Sequence, residues 1–336
     1  MQSTAQSAVQ RTTRRIRYHS YGGPEVLTLE DVPVPVPAAG QALIRAEAIG
    51  ANFVDTQLRR GMAQAELYPR PFPRPLTGDV VGTVEAVGPD ADPALIGRRV
   101  ATASEDAFGD LVLADARRLV PLPDGLDAGT ASALPMAAPV ALGVLRAGRV
   151  APGETVLVHS AAGAIGHLVV QLAKVLGAGT VIATASTAAK LDFARTQGAD
   201  VGVDYTDEDW PEQVRAATPG GVDVVLDAAG GDILRRSLDV LAPYGRLVAY
   251  GAASGELGSV PVTDLFALKT VTGFSLLAAQ AADAERAAKE LDELIAYAEQ
   301  GLLRAAVHAR LPLTETAEVH RLLESRAQMG RILVVP

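Results

Sequence analysis

A chain of 336 residues with a hydrophobic fraction of 49% is long enough for about two domains with cores of their own. Its net charge of −9 argues against nucleic acid or an anionic membrane as the main partner. No apolar run reaches the roughly 18 residues of a membrane span. The absence of cysteine excludes disulfide bonds, thiolate metal ligands and a thiol nucleophile, and it fits the reducing cytoplasm in which we expect the protein.

The first segment, residues 1–15, contains basic residues, and no acid precedes Glu25. We predict a disordered tail here, and a transit peptide is the alternative because it would have a similar composition. The following residues form short apolar runs such as "VLTLEDVPVPVP", "GDVVGTVEAVG" and "RRVATAS", separated by Gly, Pro and Asp. This spacing predicts a unit built mainly of β-strands.

From about Gly129 onward, strand and helix patterns alternate along the chain. The strands, among them "TVLVHS", "TVIATAS", "VDVVLDAAG" and "GRLVAYG", are continuous Val/Ile/Leu runs. Such runs between helices predict a parallel sheet covered on both faces. A long amphipathic helix follows, and the closing strand–helix–strand pattern is expected to return to the β-rich unit.

A glycine-containing turn follows the strand "TVLVHS" and precedes a helix predicted from Ala164 to Leu176. Small residues let a backbone approach a pyrophosphate, and the N-terminus of a helix offers N–H groups and a positive dipole to it. The sequence therefore predicts a dinucleotide site, with a purely structural turn as the alternative. The residues assigned to the cofactor here are Ser160, Ala161, Gly163, Ala164, Ile165 and Gly166.

The end of the second strand indicates which dinucleotide would bind. An NAD site usually places Asp or Glu there for the ribose hydroxyls, whereas this strand ends without a carboxylate before Asp192. A 2′-phosphate would instead meet Ser186, Thr187 and the cation of Lys190. These features favour NADPH over NADH, although Lys190 taken alone could be a solvated helix lysine.

Many segments in the same order resemble the zinc-independent quinone oxidoreductase (zeta-crystallin-like) branch of the medium-chain dehydrogenase/reductase superfamily. They include "GANFVDT", "GTVEAVG", "GETVLVHSAAGAIG", "GVDVVLDAAGGD", "LAPYGRLVAYGAASG" and the closing "GRILVV". The resemblance implies an α/β chain with a GroES-like β-rich catalytic domain and a doubly wound parallel Rossmann sheet. The expected boundaries are 16–135 with 279–336 for the first and 136–278 for the second.

The resemblance also implies NADPH as hydride donor, a homodimer built across the Rossmann sheets, and further cofactor contacts. Lys190 and Tyr205 would flank the 2′-phosphate, and Asn52 would lie near the nicotinamide. The remaining residues assigned to the cofactor are Ala229, Gly251, Ala252, Ala253, Phe274 and Arg331, the last with a surface strand-end charge as its alternative. Zinc relatives have cysteine at Asn52 and a His–Glu pair at Gly78–Asp79, so we expect no metal.

On the substrate side the sequence departs from the family. Gln57 stands where tyrosine often follows "NFVDT", and Val140 stands where a threonine is expected. The implied chemistry is hydride transfer to a quinone or to the C=C bond of an α,β-unsaturated carbonyl, with charge developing on the carbonyl oxygen. Tyr68 is the candidate proton donor, or alternatively a loop anchor, and Asn52 and Gln57 are candidate orienting amides.

Two other functions remain open at this point. An enoyl reductase acting on a thioester or polyketide-type intermediate would use a basic patch for phosphopantetheine or coenzyme A, which Arg59, Arg60, Arg70 and Arg74 could supply. A non-enzymatic NADPH-binding protein would account for the altered Gln57 and Val140 positions. An aromatic content of 4% offers few stacking platforms for nucleic acid.

Overall fold

The computed structural model describes residues 11–62, 71–256 and 258–336. The chain divides into two compact units. The first comprises the described residues up to Ser132, together with Ala309–Ala327 and Ile332–Pro336. The second comprises Ala133–His308 and Gln328–Arg331. Among the described residues, no helix is long and apolar enough to cross a membrane.

The β-rich architecture expected for the start of the chain is confirmed. The first two strands form an antiparallel pair, and a seven-stranded sheet has the order β14-β15-β3-β4-β5-β7, with β6 paired to β3. The strands are β1 Thr12–Tyr18, β2 Leu27–Pro33, β3 Gln41–Gly50, β4 Gly78–Val87, β5 Arg99–Ser104, β6 Leu111–Asp115, β7 Val120–Pro121, β14 Val307–Pro312 and β15 Arg331–Val335. The helices of this part are α1 Phe53–Arg60, α2 Ala128–Ala133 and α10 Thr316–Ser325, with short 3-10 turns at Pro24–Val26, Pro93–Leu95, Ala116–Arg118 and Leu313–Glu315.

The doubly wound parallel sheet is also confirmed. Its six strands have the order β10-β9-β8-β11-β12-β13, and every adjacent pair is parallel. The strands are β8 Thr155–Val158, β9 Thr180–Ala185, β10 Val201–Asp204, β11 Val222–Asp227, β12 Leu241–Ala249 and β13 Thr270–Gly273. The helices are α3 Ala137–Ala147, α4 Gly166–Val175, α5 Ala188–Thr196, α6 Trp210–Ala217, α7 Gly231–Ser237, α8 Leu276–Ala282 and α9 Ala284–Glu299, with 3-10 turns at Leu238–Val240 and Val262–Ala267.

This strand order fixes where a ligand can bind in the second unit. The chain winds outward in one direction from β8 and in the other direction from β11, so these two neighbouring strands mark the point where the order reverses. In open α/β sheets, ligands bind beyond the carboxyl ends of the strands at that point. The turn after β8 and the loop after β11 both lie there.

The predicted tail, residues 1–15, includes residues that belong to the first β-strand. Residues 1–10 lie outside the described part, but Thr12–Tyr18 form β1 and pair with β2 along its whole length. Arg14 forms an ion pair with Asp110 at 2.7 Å, and Arg15 pairs with Asp106. The basic residues taken for tail are therefore neutralised by specific carboxylates, which composition alone does not show.

The expected domain boundary at residue 279 also differs from the boundary between the two compact units, because the second unit continues to His308. Helix α9 lies in the second unit, where Arg146 of α3 forms an ion pair with Glu290 at 2.7 Å and another with Glu293. Leu294 is fully buried on the apolar face of α9. An amphipathic pattern predicts a helix with one buried face, but it does not say which domain buries that face.

Candidate cofactor site and active-site residues

The turn after β8 has the geometry of a phosphate-binding turn. Ser160 takes a positive φ of 53°, and Gly163 N–H donates to its carbonyl oxygen at 2.9 Å. Ala161 N–H donates to Thr184 O of β9 at 3.0 Å, which ties the turn to the neighbouring strand. A Cβ at Gly166 would lie 2.3 Å from Ser160 O, so only glycine permits this close start of α4.

The same turn leaves room on its outer side. A Cβ at Gly163 would meet only Ser160 O, at 3.2 Å. The N-terminus of a helix carries the positive end of its dipole. In α4 the N–H groups of His167, Leu168 and Val169 donate to carbonyl oxygens of Gly163 and Ile165, so the dipole and the small residues are what the turn offers to an anion. The structure therefore places the predicted residues Ser160, Ala161, Gly163, Ala164, Ile165 and Gly166 around the start of α4, where a pyrophosphate would fit.

The buried imidazole of His167 supports this turn through two hydrogen bonds. Ala306 N–H donates to its Nε2 at 3.1 Å, so Nε2 is an acceptor and Nδ1–H donates to Gly163 O at 2.8 Å. Burial, assisted by the charge of Arg331 and opposed by the bond to Gly163 O, lowers the pKa of His167 to about 4. His167 is thus a neutral structural residue at the start of α4.

Arg331 lies in the same part of the second unit. Its N–H donates to Ala306 O at 2.8 Å, and Gly330 N–H donates to Ala162 O at 2.8 Å. Its relative exposure is 1%, so the surface-charge alternative is wrong. A buried guanidinium close to His167 and the glycine turn adds positive charge where an anionic ligand would sit.

The end of β9 bears the residues predicted for the 2′-phosphate. Thr187 caps α5 by accepting Lys190 N–H at 3.3 Å, and Lys190 Nζ donates to Ser186 Oγ at 3.4 Å. Tyr205 N–H donates to Ala185 O at 3.1 Å, so the residue after β10 lies beside the end of β9. Two hydroxyl groups and one ammonium thus lie together at this end, and no carboxylate occurs between residues 180 and 191.

Beneath this group, His159 forms a buried hydrogen-bonded network. Its Nδ1 lies 2.8 Å from Thr184 Oγ1, and its Nε2 lies 2.7 Å from Ser237 Oγ. Ser237 Oγ donates its proton to Ile233 O, so Nε2–H must donate to Ser237 and Nδ1 must accept from Thr184. Burial lowers the pKa of His159 to about 3. His159 is therefore a neutral structural residue of the core.

The residues predicted for the nicotinamide half follow β11, β12 and β13 at the same sheet edge. Ala253 N–H donates to Ala228 O, and Phe274 N–H donates to Ala249 O, both at 2.9 Å. This edge brings together Ala229, Gly251, Ala252, Ala253 and Phe274. Sequence reasoning missed Asp227, the buried last residue of β11, although an acid that ends an apolar run before small residues was a usable signal.

In the first unit, the predicted active-site residues occupy the start of α1. Asn52 is at the N-cap position, but its side chain does not cap the helix and its Nδ2 instead donates to Asp79 Oδ2 at 3.4 Å. Asp55 accepts from both the N–H and the hydroxyl of Thr77 at 2.8 Å, as a structural turn acid does. Gln57 is buried, with a relative exposure of 8%. Tyr68 lies outside the described residues.

The arginines considered for a basic patch are engaged inside the first unit. Arg59 is fully buried and pairs with Glu324, and Arg60 forms a two-point pair with the same carboxylate. The guanidinium carbon of Arg74 lies 4.9 and 4.8 Å from the ring centroids of Tyr21 and Phe72, within cation–π distance of both. Arg70 lies outside the described residues.

Within residues 11–62, 71–256 and 258–336, no group of three or more His, Asp or Glu side chains could hold a metal ion. At the positions of the expected zinc ligands stand the Asn52 carboxamide, Gly78 and the buried carboxylate of Asp79.

Comparison with known proteins supports both units. Residues 38–124 match the family model of the alcohol dehydrogenase GroES-like domain, and residues 164–293 match that of the zinc-binding dehydrogenases. A quinone oxidoreductase of Pseudomonas aeruginosa is 35% identical over 96% of this chain and 99% of its own. A 2-haloacrylate reductase of a Burkholderia species is 35% identical over 95% of this chain and 97% of its own.

A solved structure gives the same result. The quinone oxidoreductase of Escherichia coli complexed with NADPH has a TM-score of 0.87 and 32% identity, and the match covers 96% of this chain and all of that one. Agreement over nearly the full length includes both the β-rich part and the six-stranded sheet. The chain therefore belongs to the quinone oxidoreductase family of the medium-chain dehydrogenase/reductase superfamily, and it is an oxidoreductase.

Proposed function

We propose that this protein is an NADPH-dependent reductase that transfers a hydride to a quinone or to the activated C=C bond of an α,β-unsaturated carbonyl. The observation that carries the cofactor choice is the end of β9, where Ser186, Thr187 and Lys190 lie together and residues 180–191 contain no carboxylate. A dianionic 2′-phosphate gains charge-assisted hydrogen bonds there. The ribose hydroxyls of NADH would lack the carboxylate that usually binds them.

The nearest acids along the chain do not oppose this assignment. Asp192 is inside α5 and pairs with Arg195 at 2.6 Å. Asp204, which ends β10, accepts from the N–H and the hydroxyl of Thr206 at 2.9 and 2.7 Å. Asp192 is thus paired and Asp204 is hydrogen-bonded within its own turn. The Lys190 ammonium would add positive charge beside a 2′-phosphate.

The rest of the second unit suits the other parts of the cofactor. The open space at Gly163 and the start of α4 would take the pyrophosphate, with the Arg331 charge nearby. The loops at Ala229 and Gly251–Ala253 would contact the nicotinamide half. NADPH, when bound, supplies the hydride for the acceptor.

The chain's own residues then have to orient the acceptor and manage a proton. Asn52 can present its carboxamide oxygen to a ligand while its Nδ2–H is directed at Asp79. Gln57 is buried, which suits a supporting amide better than one exposed to bulk water. Tyr68 Oη remains the proposed proton source for the carbonyl oxygen, and neither amide can titrate in its place.

The substrates in the names of two relatives support the proposed acceptor class. Quinones and 2-haloacrylates are both conjugated, electron-poor acceptors, and proteins named for each are 35% identical to this chain. The enoyl-thioester alternative gains less support. Arg59 and Arg60 pair with Glu324, and Arg74 contacts two aromatic rings, so these three arginines do not form a free phosphate patch.

We also propose a homodimer joined along β13. This strand ends the six-stranded sheet, and an edge strand has unpaired backbone groups that can bind another strand. Next to it, Phe266 and Tyr244 are 76% and 72% exposed, and Leu268 is 53% exposed. Tyr244 N–H donates to Leu268 O at 2.8 Å, so these apolar side chains form one patch, suited to a second copy of the chain.

The experiment that tests the function is NADPH oxidation against quinones, enones and enoyl thioesters, with NADH in parallel. Selective turnover of NADPH with quinones or enones is expected. Preference for enoyl thioesters would favour the alternative reductase. NADPH binding without turnover of any of these acceptors would contradict the proposed acceptor class.

A further inference from the structure

Asp227 is a buried acid to which no role has been given so far. It is the last residue of β11, at the point where the strand order reverses, and it has no solvent exposure. Its Oδ1 accepts Ala229 N–H at 2.9 Å, and its Oδ2 accepts Gly230 N–H at 3.0 Å. Both carboxylate oxygens are thus used to shape the loop that immediately follows.

That first loop in turn shapes a second one. Tyr250 N–H donates to Asp227 O, Ala253 N–H donates to Ala228 O, and Ser254 N–H donates to Ala229 O, each at 2.9 Å. These three bonds connect the loop after β11 to the loop after β12. The position of the second loop therefore depends on the conformation that Asp227 gives the first.

The two loops also approach each other too closely for side chains. A Cβ at Gly230 would lie 2.5 Å from Glu256 O, and a Cβ at Gly251 would lie 3.0 Å from Ala228 O. Gly230 has a φ of 73°, a left-handed conformation that glycine adopts readily. A carboxylate that accepts two N–H groups fixes a backbone that glycine would otherwise leave free.

We propose that Asp227 is a positioning residue that holds the loops 228–231 and 250–256 in the conformation required to bind the nicotinamide half of NADPH. The inference rests on the proposed function, since those loops are the ones assigned to the nicotinamide. Asp227 does not touch the cofactor in this proposal. It acts through Ala229, Gly230 and the second loop.

The surroundings of Asp227 make this role sensitive to pH. Burial raises the pKa of Asp227 to about 6, while the bonds from Ala229 and Gly230 oppose the rise. A protonated carboxyl has one oxygen that donates rather than accepts, so one of the two N–H bonds is lost when Asp227 is protonated. The loops are then expected to loosen as the pH falls through about 6.

The other buried titratable groups near Asp227, Tyr250 and His159, do not change charge in this range. The Tyr250 hydroxyl is buried, and burial together with the Asp227 charge raises its pKa above the ordinary value. His159, which follows the neighbouring strand β8, stays neutral because burial lowers its pKa to about 3. Glu256 on the second loop and Asp232 on α7 are exposed carboxylates and lie outside this buried group.

The test compares D227N with D223N in the full chain. Asp223 is on the same strand and also accepts a backbone N–H, that of Thr155 at 2.8 Å, but it lies at the opposite end from the loops. In D227N an amide N–H would face Gly230 N–H, so the KM for NADPH should rise about tenfold or more, with a smaller change in kcat for a naphthoquinone acceptor. D223N should keep the wild-type KM for NADPH.

Thermal unfolding separates positioning from simple structural support. D227N removes a buried charge, so its melting temperature should equal or exceed that of the wild type although its KM is raised. An unchanged KM for NADPH in D227N would overturn the inference. So would a raised KM that accompanies a lowered melting temperature in D227N and D223N alike.

A pH series provides an independent readout. The wild type and D223N should lose NADPH affinity as the pH falls from about 7.5 to about 5. Part of that loss comes from the 2′-phosphate, whose second pKa is about 6, and it is shared by every variant. D227N should show only that shared part, and an identical profile in D227N and the wild type would contradict the inference. A wild type that neither binds nor oxidises NADPH would instead overturn the proposed function itself.

Discussion

The ring of Phe274 packs directly on the backbone of Gly143 in α3. A Cβ at Gly143 would lie 2.2 Å from Phe274 Cζ and 2.7 Å from Cε2, so no other residue type fits while the ring stays in place. Phe274 is among the residues assigned to the cofactor, and Val140 lies one helical turn before Gly143 on the same helix. Gly143 therefore determines where the ring lies.

Replacing Gly143 by alanine should displace Phe274. We expect G143A to lower kcat/KM for the acceptor, and to destabilise the second unit by about 1–3 kcal/mol, the usual penalty for overpacking. The matched control is the double variant G143A/F274L, whose smaller side chain should relieve the clash. Steady-state kinetics and urea unfolding measure both effects, and equal losses in the single and double variants would show that the contact does not govern activity.

Ser160 offers a test of the glycine turn. Its φ of 53° lies in the left-handed region, which costs a non-glycine residue about 1 kcal/mol. S160G should therefore raise the free energy of unfolding by roughly that amount. S160A keeps the unfavourable backbone but removes the hydroxyl, so it should not be stabilised.

The two Ser160 variants also separate the roles of the side chain in binding. If the hydroxyl donates to a phosphate, both S160G and S160A should weaken NADPH binding, by about 1 kcal/mol each. Isothermal titration with NADPH measures this. Wild-type affinity in S160A would mean that the hydroxyl does not contact the cofactor.

Lys190 should determine the preference between the two nicotinamide cofactors. Removing its charge in K190A should raise the KM for NADPH by about tenfold to a hundredfold, which corresponds to the loss of one or two charge-assisted hydrogen bonds. The KM for NADH should remain nearly unchanged. The control is K289A, which removes one positive charge from an exposed position on α9. Equal effects of K190A on NADPH and NADH would contradict the 2′-phosphate assignment.

The order of the elements and the glycine turn could be predicted from the sequence because both are local patterns. Alternating strands and helices indicate a parallel sheet, and the turn from Ser160 to Gly166 is contiguous. The absence of a carboxylate directly after β9 can also be read from a short stretch of sequence. These features led to the cofactor side of the site without any knowledge of long-range contacts.

What could not be predicted depends on residues far apart in the sequence. Arg59 is 265 positions from its partner Glu324, so its burial has no local signal. The same is true of Phe274 on Gly143 and of the burial of Arg331. Helix α9 was assigned to the wrong unit because its apolar face carries no information about the Arg146 pairs that hold it.

The exposed patch beside β13 predicts how the chain associates. Substituting Phe266 by aspartate places a charge on the most exposed of its aromatic side chains, which should disrupt a dimer formed there. Light scattering on the eluted protein should show a dimer for the wild type and a monomer for F266D. The control is an equivalent charge at Leu302, an exposed apolar residue outside the patch. A monomeric wild type would contradict the proposed dimer.

The buried histidines predict how stability depends on pH. His159 and His167 have pKa values of about 3 and about 4 in the folded chain, against an ordinary value of 6.5. Between those values the unfolded chain binds more protons than the folded one, so stability is complete above pH 6.5 and falls as the pH is lowered. Each histidine accounts for about 3–5 kcal/mol of that loss, because one pKa unit corresponds to about 1.4 kcal/mol.

Asp227 acts in the opposite direction over part of this range. Its folded-state pKa of about 6 lies above the ordinary 3.8, so its contribution to stability is complete below the ordinary value and is lost as the pH rises through about 6. Urea unfolding between pH 7.5 and pH 4.5, about the range in which these groups titrate, should therefore show a net loss in the wild type. The loss should be steeper in D227N and shallower in H167Q, whose amide can donate to Gly163 O without gaining a charge. A slope in H167Q equal to that of the wild type would mean that His167 is protonated in the folded state.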